Sequence, residues 1–307
     1  MNFFLMSFIV VFFVLDSISM AQNLRVVASI KPIHSIVSSI MNGAGNPTLL
    51  VKDNSSPHEY HFRPSDITAL ENADIIFWVG PEMEMFLVKP LSFLQKRDNV
   101  VTLFNSPNIY KILLHEGQND VPNDHKGHHH HGDTAYDMHI WLDPINVKHM
   151  AHSIAVELIK KDPNNKSIYE NNAKNFEMRL EQLDRELSHI LQPFRREKIL
   201  VFHGAYKYFA HRYGVQIIDT VMSGSVSPGA RSLQKIREKV ISNNISCAFY
   251  EPEFNPRMIK SITDGTDIVI GTLDPEGIFL ESSPDLYFQL MKNLATSIER
   301  NCVSKNR

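Results

Sequence analysis

The sequence has little net charge of either sign. Its 31 Lys and Arg nearly balance 34 Asp and Glu, and no basic stripe interleaved with aromatic residues appears, which argues against nucleic acid as a partner. It also lacks an apolar run long enough to span a bilayer. Residues 3–15 are almost wholly apolar, but a membrane helix needs roughly 20 such residues. With Ser19-Met20-Ala21, a small-x-small pattern ahead of Gln22, residues 1–21 read as a signal peptide cleaved near Ala21, which predicts an exported protein. A membrane anchor is the weaker alternative. No Lys or Arg precedes the apolar run, so the α-amino group is its only positive charge, an atypical feature. No cysteine stands at the cleavage point, which excludes a lipid anchor there.

Cysteine is scarce, with only Cys247 and Cys302 present. The first leads an apolar, strand-like run and the second lies near the end of the last helical pattern. In an exported chain a disulfide is the expected state, two buried thiols being the alternative. A bond closing a loop of that length stabilises by about 4 kcal/mol on the chain-entropy model.

A chain starting near Gln22 is long enough for two domains. Short β-rich runs alternate with helical patterns in its first half: residues 24–30, a helix from Pro32, residues 48–51, a helix from Pro64, residues 74–79 and a helix from Glu82. Pro32 and Pro64 suit the first helical turn, where a missing N–H costs nothing. The second half repeats the rhythm. Strands are expected at 199–202, 216–219, 248–250 and 268–270, with helices over 206–213, from Pro228, from Pro256 and after Pro284. This alternation predicts βαβ units around parallel sheets.

Between the halves, residues 164–191 contain neither Pro nor Gly. Ile168, Phe176, Leu180, Leu183, Leu187 and Leu191 recur there mostly at three- and four-residue spacing, the mark of one long amphipathic helix. The expected architecture is α/β: two parallel-sheet lobes joined by one long rigid helix. Its parts are an N-terminal lobe over 22–163, a linking helix over 164–192 and a C-terminal lobe over 193–307. A helix that covers one lobe only is the alternative.

Residues 115–133 break the pattern. They are polar and carry His125, His128, His129, His130 and His131 among Asp120, Asp124 and Asp133. This reads as a disordered, metal-attracting loop.

Three further histidines fall at the ends of expected elements: His58 in a turn after the second strand, His139 just before a helix, and His203 directly after the strand at 199–202. Neutral imidazole suits Zn²⁺, and a tetrahedral site needs three or four donors converging from ordered structure. Ligands of open α/β sheets gather at the carboxyl ends of strands, where His58 and His203 fall. Singly, each of these residues also fits a hydrogen-bonded structural histidine.

The combination of motifs is more specific. Ser56-Pro57-His58-Glu59-Tyr60, Arg63-Pro64-Ser65-Asp66, Asn72-Ala73-Asp74 and the run from Trp78 through Gly80 to Glu84 come first. Met138-His139-Ile140-Trp141-Leu142, Phe202-His203-Gly204-Ala205-Tyr206, Glu251-Pro252-Glu253-Phe254 and Gly271-Thr272-Leu273-Asp274-Pro275 follow. Together, in this order, they resemble the zinc-uptake ABC transporter binding proteins of the ZnuA type over nearly the whole mature chain. The resemblance implies periplasmic binding of zinc between two α/β lobes. It also implies delivery to an inner-membrane permease powered by an ATPase, by a protein that acts as a monomer.

Carried over, the family's metal histidines match His58, His139 and His203. Manganese-selective relatives carry a carboxylate at the third position, so His203 favours zinc. Asp274 matches the carboxylate that completes the site in several relatives, with water or Glu59 as alternatives. Pro57 stands where some zinc members place a ligating Glu. The family also implies a Cys247–Cys302 disulfide and an accessory His-rich loop. Trp141 and Tyr206, beside the expected ligands, read as packing groups.

Two other readings compete. One is a Mn²⁺ carrier or adhesin of the same fold. The other is a zinc hydrolase, against which stands the absence of a His-Glu-x-x-His run.

Overall fold

The structure, a computed structural model, describes residues 24–52, 60–94, 97–114, 135–222 and 228–302. The expected signal peptide, the loop at 115–133, and His58 with Glu59 lie outside these described residues.

The first half of the chain forms β1 (Val26–Ala28), α1 (Lys31–Met41), β2 (Thr48–Leu49), α2 (Pro64–Asn72), β3 (Ile75–Trp78), α3 (Met85–Phe93) and β4 (Val100–Thr102). α4 (Pro144–Lys161) and α5 (Lys166–Leu191) follow. The second half forms β5 (Lys198–Val201), α6 (Lys207–Tyr213), β6 (Gln216–Thr220), α7 (Ala230–Ser242), β7 (Cys247–Tyr250), α8 (Arg257–Thr263), β8 (Val269–Thr272) and α9 (Leu286–Asn301). The strands make two four-stranded sheets, ordered β2-β1-β3-β4 and β6-β5-β7-β8, and every pairing is parallel. Each half therefore follows the same path. The chain goes one way from its first strand, then crosses back, which leaves a switch point between β1 and β3 and another between β5 and β7.

Local chemistry explains the boundaries. Pro64 opens α2, and the Asp66 carboxylate accepts the Arg63 backbone N–H at 2.8 Å, satisfying one donor of the helix start. The Tyr60 hydroxyl donates to the same carboxylate at 2.8 Å. Pro32 sits in the first turn of α1, whose Ile33, Ile36, Val37, Ile40 and Met41 form one buried stripe. α6 ends at Gly214, which adopts φ 77°, a left-handed conformation that glycine accepts without a Cβ clash.

The long helix α5 has 26 residues, so it is about 39 Å long at 1.5 Å per residue. Its buried face is Tyr169, Phe176, Leu180, Leu183, Leu187 and Leu191. Tyr169 takes the position expected for Ile168, which is only half-buried, because its hydroxyl can donate to Asp162 at 2.8 Å while the ring stays covered. α5 packs on α1 and α4 of the first half and on α9 of the second. Correspondingly, one continuous core runs from Val26 through α5 to Cys302, while smaller clusters lie on the other face of each sheet. Two halves that share a core in this way resist moving as independent bodies.

Cys247 at the start of β7 and Cys302 at the end of α9 form a disulfide, with Cα atoms 5.1 Å apart. α9 also lies close on β8. A Cβ at Gly271 would fall 2.7 Å from both the Asn301 side chain and the Phe249 ring, so only glycine fits there. Among the described residues no helix is long and apolar enough to cross a membrane.

Candidate metal centre

The switch point of the second sheet carries two of the groups singled out above. β5 ends at Val201, and His203 follows two residues later; β7 ends at Tyr250, and Glu251 follows at once. Because these strands are neighbours in parallel register, both side chains emerge at the same sheet edge. His203 Nδ1 lies 3.6 Å from Glu251 Oε2, and Glu251 is almost fully buried.

His139 reaches the same place from the other half of the chain. It precedes a 3₁₀ turn (Ile140–Leu142) that leads into α4, where the Asp143 carboxylate caps the helix by accepting the Ile145 N–H at 2.9 Å. The position of His139 is set two residues upstream. Asp137 Oδ1 accepts the backbone N–H of His139 at 2.9 Å and lies 2.8 Å from its Nδ1. Asp137 is itself buried, and its own carbonyl accepts the Tyr208 hydroxyl at 2.8 Å. The outcome is that the His139 and His203 rings meet edge to face, with centroids 5.2 Å apart.

Trp141 and Tyr206 line this meeting point. Trp141 is fully buried with its ring 5.2 Å from that of His139. It is more than packing, since its indole N–H donates to the Pro275 carbonyl at 2.8 Å and its own carbonyl accepts the Tyr287 hydroxyl at 3.0 Å. These bonds tie the turn after His139 to the segment after β8. Tyr206 and Glu251 face each other, but among the described residues neither the Tyr206 hydroxyl nor Glu251 Oε1 makes a hydrogen bond of good geometry.

Asp274 lies just beyond β8. Its Oδ1 accepts the backbone N–H groups of Glu276 at 3.1 Å and Gly277 at 2.8 Å, which fixes the turn after the strand. Burial, with Glu251 contributing, raises its pKa above the usual carboxylate range, although the backbone donors pull the other way. Glu276 is buried nearby and is raised well above that range, first by burial and then by the charges of Glu253, Glu251, Asp274 and Glu84. His203 responds to the same field. Burial is the largest single influence and opposes its protonation, but Glu251, Glu253 and Asp137 together outweigh it and raise its pKa. The region is therefore a largely buried pair of imidazoles beside a cluster of crowded carboxyl groups, whose ionised forms a cation would favour.

On the first-half side, Glu84 accepts the backbone N–H groups of Val79 at 3.1 Å and Gly80 at 2.9 Å, and also the Ser29 hydroxyl. It joins the carboxyl ends of β1 and β3. Complete burial, moderated by these donors, pushes its pKa to about 7.

His139 and His203 are thus brought together. Asp274 shares their electrostatic surroundings, but among the described residues no three His, Cys, Asp or Glu side chains form a group able to hold a metal ion. His58, the third expected histidine, lies outside the described residues. Sequence reasoning missed Asp137 and left Glu251, named only within its motif, without a role. The signal for Asp137 was its position two residues before His139, the spacing of an Asx turn. The signal for Glu251 was a charge placed directly after an apolar strand.

Two parallel α/β sheets joined by one long helix, with imidazoles and carboxylates where their strands end, are the architecture of a two-lobed solute-binding protein. The chain belongs to the ZnuA family, zinc-uptake complex component A, periplasmic, which it matches over residues 26–301. It is 38% identical to the high-affinity zinc uptake system protein ZnuA of Brucella suis biovar 1 (strain 1330), over 91% of this chain and 92% of that one. The protein of the same name from Yersinia pestis is 33% identical over 88% of each chain. A crystal structure of ZnuA superposes with a TM-score of 0.76 at 26% identity, covering 92% of this chain and all of that one.

Proposed function

We propose that this chain is a periplasmic Zn²⁺-binding protein that captures the ion with His58, His139 and His203 and hands it to the permease of an ABC importer. The ion is cargo, held and released without chemical change, so the protein works as a carrier and not as an enzyme. Residues 1–21 direct export and are removed. The mature protein acts as a monomer that docks on an inner-membrane permease served by a cytoplasmic ATPase.

The observation that carries this reading is the edge-to-face approach of His139 and His203 at 5.2 Å from opposite halves of the chain. Imidazole donors suit Zn²⁺. Asp274 is the proposed fourth ligand, supported by its place just after β8, beside the Glu251 that follows the neighbouring strand β7. The carboxylates of Glu251, Glu253 and Glu276 favour harder cations, and this makes Mn²⁺ the competitor against which selectivity is to be measured.

The test is metal analysis of untagged protein, followed by competition between Zn²⁺ and Mn²⁺. One zinc per chain, retained against excess manganese and lost in His139→Ala and His203→Ala, is the expected result. Preferential retention of manganese, or wild-type zinc affinity in either variant, overturns the reading.

A further inference from the structure

We infer that Asp137 is a positioning residue for metal capture, one that fixes His139 in a single tautomer and points its Nε2 lone pair toward the ion. The inference rests on His139 being a ligand, as proposed above.

Asp137 Oδ1 accepts the backbone N–H of His139 at 2.9 Å, so this carboxylate oxygen already serves as an acceptor. The same atom is 2.8 Å from His139 Nδ1. An acceptor can make that contact a hydrogen bond only if Nδ1 carries the proton. Neutral imidazole has one N–H, so the lone pair available to a metal sits on Nε2. The constraint is stiff as well as chemical. Asp137 is 1% exposed, its carbonyl is held by Tyr208, and two bonds to one residue define both the backbone and the ring orientation of His139.

Glu251 stands in the same relation to His203, with Oε2 at 3.6 Å from Nδ1. That contact is longer than a hydrogen bond, so the tight bracket belongs to His139 and the looser one to His203. Outer partners of this kind orient a ligating histidine and raise its basicity, and their loss typically lowers metal affinity about 10- to 100-fold.

The test uses the full chain. Long-range ¹H–¹⁵N correlation on metal-free protein reads the tautomer of His139, whose signal is identified by its loss in His139→Ala. Zinc affinity is read separately by competition with a chromophoric chelator. Wild type is expected in the Nδ1–H form. Asp137→Ala should give mixed tautomers and an affinity about tenfold or more below wild type. Asp137→Asn keeps an oxygen acceptor, so it should retain the tautomer and recover most of the affinity, with zinc dissociating several-fold faster. An unchanged tautomer in Asp137→Ala, or an affinity within twofold of wild type, overturns the inference. Should Asp137→Ala fail to fold, Asp137→Asn decides alone, and a dissociation rate equal to wild type overturns it. Failure of the site itself is distinguishable, because it would appear as wild-type affinity in His139→Ala.

Discussion

His203 and Glu251 stand at the carboxyl ends of neighbouring parallel strands, with Nδ1 and Oε2 3.6 Å apart. The pair exists because β5 and β7 flank the switch point of their sheet, so two residues distant in sequence leave it side by side.

The first prediction is a pH dependence. Burial is outweighed by Glu251, Glu253 and Asp137, which raise the pKa of metal-free His203 above the ordinary 6.5. Proton and metal compete for the imidazole, so zinc affinity should be constant above the raised pKa and fall as pH drops through it. The fall should begin above pH 6.5. For stability the sign is opposite. In the metal-free protein the His203–Glu251 attraction is fully present below pH 6.5 and is lost as pH rises through the raised pKa. Glu253→Gln removes one of the charges that raise this pKa. It should move the midpoint of zinc binding to lower pH in chelator competition across a pH series, and an unmoved midpoint contradicts the assignment.

The second prediction separates two roles of Asp274. Its Oδ1 holds the N–H groups of Glu276 and Gly277, a task an Asn oxygen can also perform. Asp274→Asn should therefore leave the melting temperature of metal-free protein nearly unchanged. Zinc binding should weaken about tenfold or more, equivalent to at least about 1.4 kcal/mol. Asp274→Ala should lose stability as well. Wild-type zinc affinity in Asp274→Asn leaves the residue with its turn alone.

Much of this was legible in the sequence for physical reasons. Alternating apolar runs and Pro-led helices are local signals, and they placed seven of the strands. β4, Val100–Thr102 at the edge of its sheet, was missed although Val and Thr are strong strand formers. The stripe along α5 was legible, whereas the shared core it organises was not, since that depends on contacts between distant segments. The imidazoles were conspicuous as residue types. The carboxylates that hold them were not, because Glu251 becomes a partner of His203 only once two strands pair.

The third prediction concerns the tie between the two halves. Trp141→Phe keeps an aromatic ring but deletes the N–H that meets the Pro275 carbonyl at 2.8 Å. Leaving that buried carbonyl unpaired should cost about 1–3 kcal/mol. Trp141→Ala also empties a large buried volume and should cost about 3–5 kcal/mol. Denaturant unfolding in the presence of chelator measures both, free of any stabilisation by zinc. Equal stability of Trp141→Phe and wild type means that this hydrogen bond does not help hold the halves together.

The last prediction concerns residues 115–133. Five histidines, His125 and His128 through His131, stand there among Asp120, Asp124 and Asp133. A polar segment that has to order its backbone on binding loses affinity by that ordering entropy, and the composition of this stretch predicts such a cost. His139 and His203 are already held by Asp137, by the turn into α4 and by the end of β5, so little ordering remains to be done there. The tight site should therefore be independent of the loop, and the loop should add weaker sites. Its acidic residues raise the local concentration of cations, an effect that salt screens over about 8–10 Å. Titration calorimetry on a variant lacking residues 125–131 should keep one tight zinc and lose the weaker ones. Stopped-flow capture should slow in that variant at low salt and match wild type at high salt. Loss of the tight site on deletion would mean that the primary ligands lie in the loop and that the meeting of His139 and His203 has a structural purpose only.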